Sequence, residues 1–135
     1  MMRPERLNAR ARRLWAEGQA EIVISAASTW EIAIKSRVGK LDLPAPIATF
    51  VRASLEDEGL VSLPVEHAHA VRVAELPLHH ADPFDRLLIA QAQVEHLPVM
   101  TADAQLAAYD VELIWAGPGD DPDAARAPVR RRGNR

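Results

Sequence analysis

Three acidic residues, Glu31, Asp85 and Asp103, each stand at or near the start of a stretch with helical periodicity. Helices that follow parallel strands begin at one edge of a sheet, so three such carboxylates can converge there. Hard oxygen donors of this kind suit Mg²⁺ or Mn²⁺, ions that keep several waters and contact phosphate directly. Held beside a phosphodiester, such ions lower the pKa of a water and neutralise charge during in-line displacement. Each acid also has a plainer reading. Asp82-Pro83-Phe84-Asp85 reads as an acidic N-cap followed by proline in the first helical turn, which makes Asp82 a cap before it is a ligand. Ser28-Thr29-Trp30-Glu31 fits a capping box. Asp103 lies just past an apolar run, Leu97-Pro98-Val99-Met100-Thr101, at the strand end where open α/β sheets place their ligands.

The histidines are less promising. His67 and His69 sit two apart on one helical stretch, which turns them about 200° from each other, so they form no facial metal pair. His79 and His80 precede the helix that starts at Asp82 and could reach its acidic end; as a loop pair they are expected in solvent.

The elements that must position these groups alternate. Residues 3–17 carry a basic face and an apolar stripe of Leu7, Ala11, Leu14 and Trp15, closed by Gly18. Glu21 to Ser25 is a β-branched run with the mark of a strand covered on both faces. A helix over Ala26 to Val38 follows, closed by Gly39, and a second amphipathic helix runs from Pro46 to near Gly59. Leu60 to Leu63 reads as a strand, Glu66 to Glu75 as a helix, and Asp82 onward as a mostly buried helix. Strands at Leu97–Thr101 and Val111–Trp115 complete the series. Such alternation predicts a three-layer α/β/α fold with a parallel central sheet and right-handed crossovers. No glycine-rich phosphate loop follows any strand, which argues against nucleotide cradling of the Rossmann or P-loop kind.

A chain of 135 residues suits one domain, here residues 1–116, with a core of useful size. At 48% hydrophobic and 26% charged it has the balance of a soluble protein, and no apolar run is long enough to span a bilayer. The start holds no apolar signal region, so a cytoplasmic location is expected. With no cysteine there is no disulfide, thiol nucleophile or thiolate zinc site. Residues 117–135 hold five arginines against three aspartates and almost no large apolar side chain, and are expected to be a disordered tail. The chain's net charge of −3 therefore leaves the preceding body near −5, so a nucleic-acid substrate needs local basic patches or bound cations.

Several stretches together carry a family resemblance. Ser25-Ala26-Ala27-Ser28-Thr29-Trp30-Glu31-Ile32-Ala33-Ile34-Lys35, Gly39-Lys40-Leu41, the block from Leu76-Pro77-Leu78-His79-His80 through Asp82-Pro83-Phe84-Asp85-Arg86-Leu87-Leu88-Ile89-Ala90-Gln91-Ala92, and Thr101-Ala102-Asp103 resemble, in order and spacing, the PIN-domain ribonucleases of VapC-type toxin–antitoxin systems. The resemblance spans about residues 7 to 115. It implies a Mg²⁺- or Mn²⁺-dependent endoribonuclease, an RNA substrate, a cognate antitoxin that occludes the site, and a homodimer. By position it gives Glu31, Asp85 and Asp103 the metal-binding roles, leaves Asp82 as a nearby capping acid, and has Thr101 orient a ligand or water. Lys35, Arg37, Lys40 and Arg86 are candidates for backbone phosphate contacts. The family opens with a short apolar strand ending in aspartate, and no acid in residues 1–20 follows an apolar run here. The expectation is thus a PIN-like domain truncated at its N-terminus, with one carboxylate fewer. The alternative function is an impaired remnant that binds an antitoxin or other partner without nuclease activity.

Overall fold

The computed structural model describes residues 22–117. The basic stretch at 3–17, the expected absence of a first strand and all but the first residue of the 117–135 tail lie outside that range. Within it the elements run β1 (Val23–Ser25), α1 (Ala26–Arg37), α2 (Ile47–Glu56), β2 (Val61–Leu63), α3 (His67–Val73), α4 (Pro83–Glu95), β3 (Val99–Thr101), a 3-10 helix (Ala104–Ala108) and β4 (Leu113–Trp115). Every strand–helix alternation expected from the sequence is present, each element one to four residues shorter at its ends. Two crossover units result. β1 pairs parallel with β2, placing Val23 opposite Val61, and β3 pairs parallel with β4, placing Val99 opposite Leu113. Among the described residues these are two separate two-stranded sheets rather than one continuous sheet. They share a core even so: Ile22, Ile24 and Leu60 from the first pair pack with Met100 and Ala116 from the second.

α4 occupies the middle of the molecule. Leu88, Ile89, Ala90 and Ala92 are buried around its circumference, as expected of a helix covered on several sides. They pack with Val99, Leu106 and Tyr109 in the larger core. Its start is the one anticipated: Asp82 Oδ1 accepts from the amides of Phe84 at 2.8 Å and Asp85 at 3.3 Å, with Pro83 in the first turn. α3 and α1 both pack against it.

α1 starts at Ala26 as expected, but its cap differs from expectation. Its cap is Ser25, the last residue of β1, whose Oγ accepts from the Ala27 amide. The helix begins at Ala26, two residues before Ser28, so Ser28-Thr29-Trp30-Glu31 lies inside it and is no capping box. The cause is the direct β1–α1 junction, where strand and helix share one serine and leave no loop for a later cap. The far end of α1 follows the sequence. Gly39, at φ +79°, lets the amides of Gly39 and Lys40 turn back onto Ser36 and Lys35 carbonyls, the pairing of a Schellman close.

Candidate functional site

The ends of β3 and α4 build the site. β3 terminates in Thr101, whose buried Oγ1 accepts from the Asp103 amide at 3.0 Å. Asp103 then caps the 3-10 helix through Oδ1, which accepts from the Gln105 amide at 3.0 Å. These two bonds fix its carboxylate so that Oδ2 meets the Nε2 of His80 at 3.0 Å. The same Nε2 lies 3.1 Å from Oδ2 of Asp85, in the first turn of α4. Two carboxylates thus converge on one imidazole, the ligand atoms of all three residues lying within 4.8 Å of one another. Asp85 is buried, and the side chains of His80 and Asp103 are 15% and 22% exposed, so the cluster opens to solvent on one side.

The sequence placed Asp85 and Asp103 at this edge, and they meet. It placed His79 and His80 in solvent, and for His80 that is overturned. The backbone amide of His80 donates to the buried Tyr109 hydroxyl at 2.9 Å, and the His79 ring packs edge-on against Tyr109 with centroids 5.1 Å apart. That anchor turns His80 inward. Its nearness to Asp82 and Asp85 in sequence was a signal, but Tyr109 lies 29 positions away, and only the fold brings it there.

Glu31 is buried on α1, with Lys35 Nζ 3.6 Å from its Oε2. It stands outside the three-residue cluster, on a neighbouring helix. Trp30, just before it, meets Phe84, just before Asp85, edge-on with centroids 5.0 Å apart, so the N-terminal halves of α1 and α4 lie side by side. Ser28, on the same part of α1, buries a hydroxyl without a hydrogen-bond partner among the described residues. Asp82 acts as the helix cap. Lys35 carries the pairing to Glu31, while Arg37 and Lys40 are exposed at the end of α1. Arg86 has other work than phosphate contact. Its guanidinium donates to the carbonyls of Val73 (3.1 Å), Leu76 (3.4 Å) and Pro77 (2.9 Å) and to the Tyr109 hydroxyl (3.2 Å), tying the end of α3 and the loop after it to α4.

A second cluster, Glu66, His69 and Glu95, also has ligand-like composition. Its protons exclude that use. His69 Nδ1 accepts from the Glu66 amide at 3.0 Å and from Gln91 Nε2 at 3.3 Å, so Nε2 carries the proton and donates to Glu95 at 2.7 Å. No nitrogen lone pair is left for a metal. His67, two residues before, is exposed, as the helical phase required.

The donor set at Asp85 and Asp103 fits a hard divalent cation: two carboxylates, one of them buried, converge where an N–H now lies between them. The fold is of the mixed α/β class with parallel strands, and the PIN domain family model matches residues 1–112. The chain belongs to the PIN domain family. Within that family, it is similar to Ribonuclease VapC16 of Mycobacterium tuberculosis, 50% identical over 48 residues. The match covers 36% of this chain and 34% of that protein's length.

Proposed function

We propose that this chain is a metal-dependent endoribonuclease of the VapC toxin type, cleaving RNA phosphodiesters by attack of water. The observation that carries the reading is the convergence of Asp85, at the start of α4, and Asp103, just past the end of β3, on one point, in a chain of PIN family. Asp85 and Asp103 hold the cation, Glu31 adds a third carboxylate from α1, and Thr101 fixes the turn that presents Asp103. Asp82 serves the helix, not the ion. When bound, Mg²⁺ or Mn²⁺ supplies charge neutralisation for the phosphodiester and activation of water. Arg37 and Lys40, and Lys35 beside Glu31, contact the RNA backbone. Without such help the acidic body would repel a polyanion.

The partners in this reading are a cognate antitoxin and a second copy of the chain, acting in the cytoplasm. Trp30, Ile34 and Val38 leave a large apolar stripe exposed along α1, Trp30 at 61%, and stripes of that kind are buried by association. No helix among the described residues is long and apolar enough to cross a membrane.

A second reading, a remnant that binds an antitoxin without cleaving RNA, has its own support. The imidazole of His80 already supplies a partner to both carboxylates, so the acid pair is satisfied without a cation. Mn²⁺ calorimetry on the wild type and on Asp85→Asn, both checked for folding by circular dichroism, separates the two. Binding that weakens tenfold or more in the variant, followed by Mn²⁺-dependent cleavage of single-stranded RNA, is the expected result. A folded wild type that binds no Mn²⁺ at millimolar concentration leaves the remnant.

A further inference from the structure

We propose that His80 is a place-holder for the cation: its Nε2–H bridges Asp85 and Asp103 in the cation-free protein, and a divalent ion displaces it rather than taking it as a ligand. The proposal rests on the reading of Asp85 and Asp103 as metal-holding residues.

The position of its proton fixes what His80 can do. Histidine reaches Asp85 and Asp103 through Nε2, at 3.1 and 3.0 Å. Its other nitrogen, Nδ1, faces the backbone amide of Asp82 at 3.4 Å. An amide N–H is only ever a donor, so Nδ1 must keep its lone pair, and in the neutral ring the proton is then on Nε2. A protonated Nε2 donates to carboxylates and cannot coordinate a metal. To become a ligand the ring would have to move its proton to Nδ1, where it would point at the Asp82 N–H. The backbone of the cap at α4 thus selects the donor tautomer.

The surroundings let the ring leave without moving the chain. The His80 amide is held by the Tyr109 hydroxyl at 2.9 Å, and Arg86 donates to that same hydroxyl. Asp103 is held separately through Oδ1 by the Gln105 amide. Asp103 keeps that backbone support when the imidazole rotates about its own side-chain bonds toward the solvent side of the cluster. What the rotation costs is the hydrogen bond to Asp103 at 3.0 Å and the close approach to Asp85 at 3.1 Å, and hydrogen bonds to charged acceptors are stronger than neutral ones. Any bond made only in the cation-free state lowers apparent affinity for the cation, because binding must first break it.

The consequence runs opposite to that of losing a ligand. His80→Ala removes the competitor for Asp85 Oδ2 and Asp103 Oδ2 and should tighten Mn²⁺ binding by about tenfold in calorimetry, as expected for loss of a charge-assisted contact. In the wild-type Mn²⁺ complex, pulsed electron paramagnetic resonance should show no ¹⁴N coupling from an imidazole bound to the ion. Weaker binding in His80→Ala together with ¹⁴N modulation in the wild type would make His80 a ligand and overturn the proposal; an unchanged affinity would overturn it too, since nothing was displaced. His80→Phe keeps a ring without a donor and serves if the alanine variant does not fold. Absence of Mn²⁺ binding in both wild type and His80→Ala would sink the metal reading itself, an outcome distinct from binding that persists with the wrong sign.

Discussion

Asp82 and Asp85 are three residues apart on the first turn of one helix, yet they have different tasks. Asp82 Oδ1 is turned back onto two backbone amides, whereas Asp85 Oδ2 faces His80. Asp82→Ala should therefore lower stability to urea by about 1 kcal/mol, the usual cost of a lost cap, and leave Mn²⁺ affinity unchanged. A matching loss of affinity would make Asp82 part of the site. Arg86 has the same kind of test. Four oxygens surround its guanidinium, in a fork that an ammonium does not reproduce. Arg86→Lys should cost about 2 kcal/mol in urea unfolding, from carbonyls left short of a donor. A stability equal to wild type would argue that water replaces those bonds.

At the scale of elements, α4 joins the others through polar as well as apolar contacts. Ser25, at the cap of α1, donates to Gln91 Oε1; Gln91 Nε2 donates to the Pro64 carbonyl at 3.1 Å and reaches His69, which in turn donates to Glu95. Ser25, His69 and Gln91 are fully buried, so this chain links β1, the loop after β2, α3 and α4 away from solvent. Gln91→Leu is close in size but strips three groups of a partner at once, and should destabilise by about 2–4 kcal/mol in thermal or urea unfolding. A near-neutral result would mean the network contributes register and little energy. At the other end of α4, His96 closes the helix with φ 57°, a left-handed conformation that is strained for a residue with a Cβ. His96→Gly should raise stability by about 0.5–1 kcal/mol, and a loss would point to an untraced role for that imidazole. The contrast with Gly39 is instructive: there the helix stop was plain from the glycine, while the stop after Glu95 carries no such residue and its helix end was not marked in the sequence.

Across the whole molecule, two parallel strand pairs and a central helix bring positions from β3, α4 and the loop before it to one edge. The proposed cation would bind the folded chain and not the unfolded one, and so would stabilise the fold by mass action. At a hundredfold excess over its dissociation constant the gain is about 2.7 kcal/mol, and melting in Mn²⁺ should rise by several degrees over melting in EDTA. Asp85→Asn should abolish most of that rise. Equal melting temperatures with and without Mn²⁺ would count against a site at this edge. The stripe of Trp30, Ile34 and Val38 belongs to this scale as well, because all three side chains stay exposed even where Trp30 meets Phe84.

What the sequence determined by itself was local. Period and punctuation set the elements: Asp82-Pro83 at a helix start, Gly39 at a helix end, β-branched runs as strands, and the alternation that makes a parallel α/β fold. The type, order and spacing of Glu31, Asp85 and Asp103 pointed to a cation because hard carboxylate oxygens near helix starts can converge at one edge. Tertiary structure decided what depends on distance across the chain. It drew His80 inward through Tyr109, kept Glu31 on a separate helix beside Lys35, assigned Arg86 to backbone carbonyls, and moved the cap of α1 to Ser25. Local spacing shows which face a residue occupies, but the partner that satisfies a buried polar group comes from tens of residues away, and only the packed chain names it.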